Sequence, residues 1–351
     1  MNHVPTALNS PAVTRPARSA QMRFTAILLT TAALLLLSSA VALCMGPVQI
    51  GMGSVIRALI SARFRLNEPE VSTIVWQLRL PRIALAALIG AALASSGAGF
   101  QSLLRNDLAD PYVLGISSGA SCAAAAVSLI GGAAALSMYL TPAAALLGAL
   151  AVLVVVVALS SRYGRIDSRS LLLNGVIVSA FLSALEMAAL RFAGHDFEEI
   201  LNWLMGSLAS ANWHSCLMMS LVTLACFTVM QLLSPSMNLY SIGEESAKQL
   251  GLDAERYKRI LVVTSTILAA AAVASVGIIG FIGLISPHIA RRLLRTPDHR
   301  LMLPIAAICG AILLVWSDTL ARILFGGDML PVGIITAFLG APFFCYQLRK
   351  R

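Results

Sequence analysis

Residues 143–160 form an unbroken apolar run, AAALLGALAVLVVVVALS, without a charged residue or a proline. Its length is close to the roughly 20 residues that a helix needs to cross a bilayer. Similar runs recur along the chain, and 58% of its 351 residues are hydrophobic while only 12% are charged. A transmembrane β-barrel would instead show short alternating segments. The pattern therefore predicts an all-α polytopic membrane protein.

Hydropathy and helix breakers predict about ten transmembrane helices. They cover 24–46, 82–104, 113–133, 141–160, 171–192, 214–233, 258–276, 281–295, 301–324 and 330–348. An amphipathic segment, 197–207, precedes the sixth helix. Residues 1–22 are polar and contain three prolines, so we expect a flexible tail followed by a single transmembrane domain over 23–351. The first apolar run exceeds the length of a signal-peptide core, which favours a retained helix.

The distribution of basic residues predicts the orientation of the helices. An even number of helices places both termini on one side of the membrane. Of the 25 lysines and arginines, 18 fall on that side and the other 7 on the opposite side. Because positive charge collects in cytoplasmic segments, we expect both termini in the cytoplasm. The same distribution accounts for the net charge of +9 without a nucleic-acid partner.

The loop after the sixth helix contains GEESAKQLGLDAERYKR (243–259), the most polar stretch in the second half of the chain. Glu244, Ala247 and Gly251 fall in a short helical stretch that ends in a turn, and Leu250 lies on its apolar side. Apolar anchors beside charges are typical of a helix that docks into the groove of a partner. The pattern alone leaves a docking helix and an ordinary solvated loop equally open.

Arginines flank the outer end of the second helix. Arg79 and Arg82 bracket Pro81, where long side chains reach the membrane interface. They serve either as interfacial anchors or as a docking patch for an acidic partner. Asp318 and Arg322 stand four residues apart in the ninth helix with the acid first, which is the favourable order for an ion pair.

The fifth helix carries Glu186 and Arg191. Five residues apart on a helix, they point about 140° away from each other and do not form an obvious pair. A charge that faces lipid is costly, so each should face the protein interior or a water-filled pathway. Arg191, near the outer end, is suited to attract an anionic solute. An ion-coupled secondary transporter, with Glu186 and Asp318 as its carboxylates, is an alternative of a different class.

Cofactor and catalytic motifs are missing from the sequence. The six cysteines fall inside the expected helices without CxxC spacing, so we predict no metal site and no disulfide. The GxxxxGK[ST] phosphate loop is also missing. If transport is driven by ATP, the ATP and Mg must bind to an ATPase on a separate chain. We expect a transport subunit rather than an enzyme.

Six segments in a fixed order closely resemble the FecCD-type permeases of bacterial ABC importers, a family that includes cobalamin, ferric-siderophore and haem permeases. The resemblance covers about 24–351. The segments are RLPR (79–82), GAALASSGAGFQSLLRNDLADPYVLGISSGA (90–120), GEESAKQLGL (243–252), GFIGLISPHIARRL (280–293), DHR (298–300) and LPVGIITAFLGAPFF (330–344).

The resemblance implies a type II importer in the bacterial inner membrane. Each ten-helix subunit pairs with a second permease subunit, which we expect to be identical, around a central pathway. The partners are two cytoplasmic ATPase subunits and a periplasmic substrate-binding protein. The resemblance assigns the loop at 243–251 to ATPase coupling through Gly243, Glu244, Ala247, Leu250 and Gly251. It assigns Arg79, Arg82 and Arg322 to docking of the binding protein.

In this family the fifth helix and the segment after it line and gate the pathway. Glu186 and Arg191 lie outside the shared motifs, so their pathway roles rest on charge alone. Two copies of Arg191 in a dimer match the two propionates of haem, which is the substrate we expect. Ferric siderophores are the second candidate substrate, because many of them are anionic too. Cobalamin has no comparable carboxylates and is the third candidate.

Overall fold

The structure is a computed structural model that describes residues 18–46, 48–61, 69–131, 134–162, 164–192, 201, 203–324 and 330–349. Its helices are α1 Arg18–Cys44, α2 Met52–Ser61, α3 Pro69–Thr73, α4 Leu80–Leu104, α5 Ile116–Gly131, α6 Ala134–Ser160, α7 Ser168–Phe192, α8 Trp213–Ser241, α9 Glu244–Gln249, α10 Ala254–Val276, α11 Ile282–Leu294, α12 His299–Ile323 and α13 Val332–Arg349. The remaining elements are a π-helical turn Ile74–Arg79, a 3-10 turn Pro111–Leu114, and the antiparallel pair β1 Ser161–Arg162 and β2 Arg165–Ile166.

The all-α prediction is confirmed, and each of the ten expected membrane helices has a counterpart among α1, α4 to α8 and α10 to α13. Within the described residues, seven helices have the length and apolar content to cross a membrane, and α5 and α13 contain shorter apolar stretches. Helix α1 begins at Arg18, inside the stretch expected to be a tail. Residues 1–17 lie outside the described residues, as do 197–200 and 202 of the expected amphipathic segment.

The second membrane helix starts earlier than expected. The sequence prediction placed its start at residue 82 because Pro81 lacks an N–H and clashes with the preceding turn of an α-helix. In the structure the helical chain continues upstream of Pro81 through the π-helical turn Ile74–Arg79 to α3. Because the π-helical turn ends at Arg79, Pro81 lies in the first turn of α4, where a proline is tolerated.

Helix α4 forms the centre of the bundle, where it contacts α8, α10, α11 and α12. Two glycines let other backbones approach it closely. A Cβ atom on Gly97 would lie 1.9 Å from the carbonyl oxygen of Gly283, and one on Gly90 would lie 2.2 Å from that of Gly310. Small residues at helix crossings are typical of membrane bundles, where helices gain packing contacts by close approach. Gly97 and Gly90 therefore permit close contact between α4 and the helices that cross it.

Polar groups collect at two ends of this bundle. The loop end comprises the β1–β2 hairpin, α9 and the first turn of α10, which contact one another. The arginine end comprises the start of α4 and the end of α12, where Arg82 contacts Asp318. Between these ends, α1 and α7 lie at the periphery and expose large apolar side chains such as Leu36 and Phe181.

The contact at Gly97 yields a prediction for stability. We expect Gly97→Ala to destabilise the protein by about 1–3 kcal/mol, because the added methyl group meets backbone atoms that cannot rotate away. The matched control is Gly53→Ala in α2, where an added Cβ meets nothing within 4 Å. Thermal unfolding in detergent should show a lower Tm for Gly97→Ala and an unchanged or higher Tm for the control. Equal Tm values would contradict the packing role.

Candidate functional site

Glycines shape the turns on both sides of α9 at the loop end. Gly243, before the helix, has φ +138°, and Gly251, after it, has φ +90°. These backbone conformations are unfavourable for residues with a side chain. Between the turns, Ala247 is fully buried while Leu250 is 64% exposed. The short helix expected here is confirmed, and its leucine faces outward.

Glu244 is the polar anchor of α9. Its Oε1 lies 3.0 Å from Lys248 Nζ and 3.1 Å from Lys258 Nζ, and its Oε2 accepts a hydrogen bond from the Tyr240 hydroxyl at 3.1 Å. Burial by itself would raise the pKa of Glu244, but hydrogen bonds from the two lysines outweigh burial and lower the pKa below its ordinary value. The contribution of this carboxylate to stability is therefore present at neutral pH and is lost as the pH falls through the lowered pKa.

Lys258, on α10, is a central residue of the loop end that the sequence analysis missed. Its side chain is buried and contacts Glu244, Glu255 and the backbone carbonyl of Ile166. A Glu255–Lys258 pair is visible in the sequence as an i, i+3 spacing. The contact between Lys258 and Ile166 cannot be read from the sequence spacing, because 92 residues separate the two positions.

One aspartate joins two arginines at the arginine end. Asp318 is 1% exposed, and its Oδ1 lies 2.8 Å from Arg82 Nη2 while its Oδ2 lies 3.1 Å from Arg322 Nε. The i, i+4 pair expected from the sequence is thus formed. The pairing with Arg82 was not expected, since 236 residues separate it from Asp318.

Arg79 lies close to this cluster and is also buried. Its guanidinium donates hydrogen bonds to the backbone carbonyls of Leu43 and Val48, which anchor the end of α1 to the start of α4. Its charge adds to those of Arg82 and Arg322, the two arginines that pair with Asp318. The local net charge is therefore +2, and all three guanidinium groups are buried.

The two charged residues of α7 lie in different environments. The half-buried Glu186 accepts a hydrogen bond at 2.6 Å from the hydroxyl of Ser121 on α5. Arg191 is exposed near the end of α7. The two side chains therefore do not pair, as their spacing predicted, and Ser121 is a partner of Glu186 that the sequence analysis missed. Whether α7 lines a pathway stays a prediction.

The aspartate at the arginine end yields a second prediction. We expect Asp318→Asn to destabilise the protein by about 3–5 kcal/mol, because two buried guanidinium groups lose their counter-charge. Thermal unfolding measures the effect. The control is Glu245→Gln, which removes an exposed ion pair with Lys248 and should change stability by about 1 kcal/mol or less. Similar Tm values for the two variants would show that Asp318 is not the anchor of this end.

Comparison with known proteins places these features in a family. A family model described as the FecCD transport family matches residues 34–350. The cobalamin import system permease protein BtuC of Halobacterium salinarum is 40% identical over 292 residues, which cover 83% of this chain and 78% of the relative. The Fe(3+)-citrate import system permease protein YfmE of Bacillus subtilis is 38% identical, over 92% of this chain and 94% of the relative.

Solved structures share the architecture. An inward-facing metal-chelate type ABC transporter matches with a TM-score of 0.80 and 30% identity, covering 93% of this chain and 100% of that chain. PsaBC from Streptococcus pneumoniae shares the fold with a TM-score of 0.54 at 16% identity, covering 83% of this chain and 94% of that chain. The chain therefore belongs to the FecCD transport family and is a multi-span permease subunit of an ABC importer.

Proposed function

We propose that this permease carries an iron chelate, haem foremost, from the periplasm to the cytoplasm across the bacterial inner membrane. It works as a homodimer with two ATPase subunits, which bind ATP and Mg, and with a periplasmic binding protein. Both termini and the loop end then face the cytoplasm, as the distribution of basic residues predicts. The arginine end faces the periplasm.

The observation that carries the proposal is the arrangement of α9 at the loop end. Ile242 and Leu250 are 67% and 64% exposed on either side of a short charged helix. Ala247 and Glu244 attach the opposite side of this helix to the bundle. An outward apolar pair on a helix fixed from behind is suited to a groove of the ATPase, where burial of the leucine and isoleucine favours binding.

The surplus charge at the arginine end supports docking of the binding protein. Arg82 and Arg322 share one counter-charge, Asp318, and the buried Arg79 adds a third positive charge nearby. The resulting positive potential extends beyond the buried guanidinium groups and attracts acidic side chains of an approaching protein. We assign these acidic side chains to the substrate-binding protein.

Transport then follows from two states of the bundle that differ in which end is open. The permease performs no covalent chemistry, and ATP binding to the ATPase displaces α9 and biases the equilibrium between the states. Helix α7, which carries Glu186 and Arg191, forms a wall of the pathway. Its exposed apolar side chains face the second subunit or lipid.

Charge favours haem among the chelates. The exposed guanidinium of Arg191 suits a carboxylate, and the two copies in a homodimer suit the two propionates of haem. The relatives favour two further candidates, because one is named for Fe(3+)-citrate import and another for cobalamin import. Ferric citrate shares the carboxylates of haem, whereas cobalamin does not.

The coupling surface yields a third prediction. We expect Leu250→Asp to weaken ATPase binding by about 2 kcal/mol, because a charge replaces an apolar contact at the interface. Affinity between the purified permease and its ATPase measures the effect, and ATP-driven uptake should fall in parallel. Leu250→Met, which keeps the volume and the apolar surface, is the control. Uptake that persists without ATPase and ATP would overturn the proposal in favour of an ion-coupled transporter.

The pathway yields a fourth prediction. In proteoliposomes supplied with haem, ferric citrate or cobalamin, we expect haem uptake through the complete importer. Arg191→Ala should lower that uptake about tenfold, consistent with loss of a hydrogen bond to a charged group. Arg191→Lys keeps the positive charge and should retain most of the uptake. Unchanged haem uptake in Arg191→Ala would remove Arg191 from the pathway, and uptake of cobalamin alone would reassign the substrate.

A further inference from the structure

Lys258 joins three separate elements at the loop end. The residue is 1% exposed, and its ammonium group lies 3.1 Å from Glu244 Oε1 on α9 and 2.7 Å from Glu255 Oε1 on α10. It also donates a hydrogen bond at 2.6 Å to the carbonyl of Ile166 on β2. Two of its three donors form hydrogen bonds, to Ile166 and Glu244, and Glu255 is paired with the ammonium group by charge.

The β1–β2 hairpin is held by the same turn of α10. The backbone N–H of Ile166 donates to Glu255 Oε2 at 2.9 Å, and Arg259 Nη2 donates to the carbonyl of Gly164 at 2.7 Å. The hairpin leads directly into α7, whose first turn is capped by Asp167 through a hydrogen bond from the N–H of Ser170. A displacement of the hairpin therefore reaches the start of α7.

We propose that Lys258 is a positioning residue that transmits displacement of α9 to the hairpin and so to α7. The inference rests on the proposed function, in which the ATPase displaces α9. If α9 moved without the hairpin, Lys258 would lose either Glu244 or Ile166 and leave a buried charge incompletely paired. Separation of a buried, hydrogen-bonded charge from its partner is strongly unfavourable, so the two elements move together.

Lys248 provides a matched contrast on the same carboxylate. Its Nζ also lies 3.0 Å from Glu244 Oε1, and it lies 3.0 Å from Glu245 Oε1. Both carboxylates belong to α9, and the side chain of Lys248 is 33% exposed. Lys248 thus stabilises α9 internally, whereas Lys258 connects α9 to other elements. Removing either charge takes one cation from Glu244, but of the two lysines it is Lys258 that contacts the hairpin.

Hydrogen–deuterium exchange of the assembled importer with its ATPase tests the proposal. Peptides covering 161–170 and 243–251 are compared without nucleotide and with Mg-ATP and vanadate. In the wild-type protein both peptides should respond to nucleotide. In Lys258→Met, we expect 243–251 to respond while the change in 161–170 shrinks at least about fivefold, a typical size for coupling between sites. Lys248→Met should retain both responses.

The outcomes separate this proposal from the proposed function. No response of 243–251 in the wild-type protein would overturn the proposed function. A wild-type response at 243–251 without one at 161–170, or equal hairpin responses in Lys258→Met and Lys248→Met, would overturn the role of Lys258 alone. Lys258→Arg keeps the charge and should restore the hairpin response, which a purely structural defect would not predict. If Lys258→Met fails to assemble, Glu244→Ala removes the acceptor from the α9 side and should shrink the 161–170 response in the same way; an unchanged response would overturn the role of Lys258.

Discussion

Burial of charge in a low-dielectric interior is the constraint on which both polar ends of this permease depend. Asp318 holds Arg82 and Arg322 at one end, and Glu244 and Glu255 hold Lys258 at the other. The desolvation of such groups offsets much of their attraction, so an intact pair adds little net stability. Removal of one partner, in contrast, leaves a buried charge and is strongly unfavourable. The clusters therefore act as connections between elements that are far apart in the sequence.

The interior between the two ends is held by close backbone contacts instead. Glycines of α4 meet glycines of α11 and α12. Before α8, Gly206 lies against the carbonyl of Ile278, and Gly277 lies against the carbonyl of Trp203. Lipid tails are as apolar as the side chains, so helices in a membrane associate through packing rather than through the hydrophobic effect. A bundle packed in this way resists gradual deformation and moves as rigid parts.

Buried charge pairs and close backbone contacts are distributed unevenly over the helices. In the proposed importer, this difference affects which helices can move. Helix α4 packs against α8, α10, α11 and α12 at the centre, whereas α7 is peripheral. Helix α7 packs against α5, α6 and the 3-10 turn, follows the hairpin at one end, and contacts Ser121 of α5 through Glu186. Of the residues of α7, Leu171 and Gly175 alone are buried, and an element with little buried surface moves at a lower free energy than the core does. In the proposed mechanism, the contact between the hairpin and Lys258 couples the movement of α7 to that of α9.

The sequence by itself determined the fold class, the ten membrane helices, the helical loop at 243–251 and the Asp318–Arg322 pair. These features depend on composition, local periodicity or pairs of residues one helical turn apart. All of these can be read from residues that are close together in the sequence. Only the tertiary structure decided that Arg82 shares Asp318, that a π-turn carries the helical chain past Pro81, and that Lys258 meets Ile166. Contacts such as Arg82–Asp318 and Lys258–Ile166 require segments separated by 236 and 92 residues to return to the same place. Their geometry is fixed by how the whole bundle packs, and no local pattern encodes it.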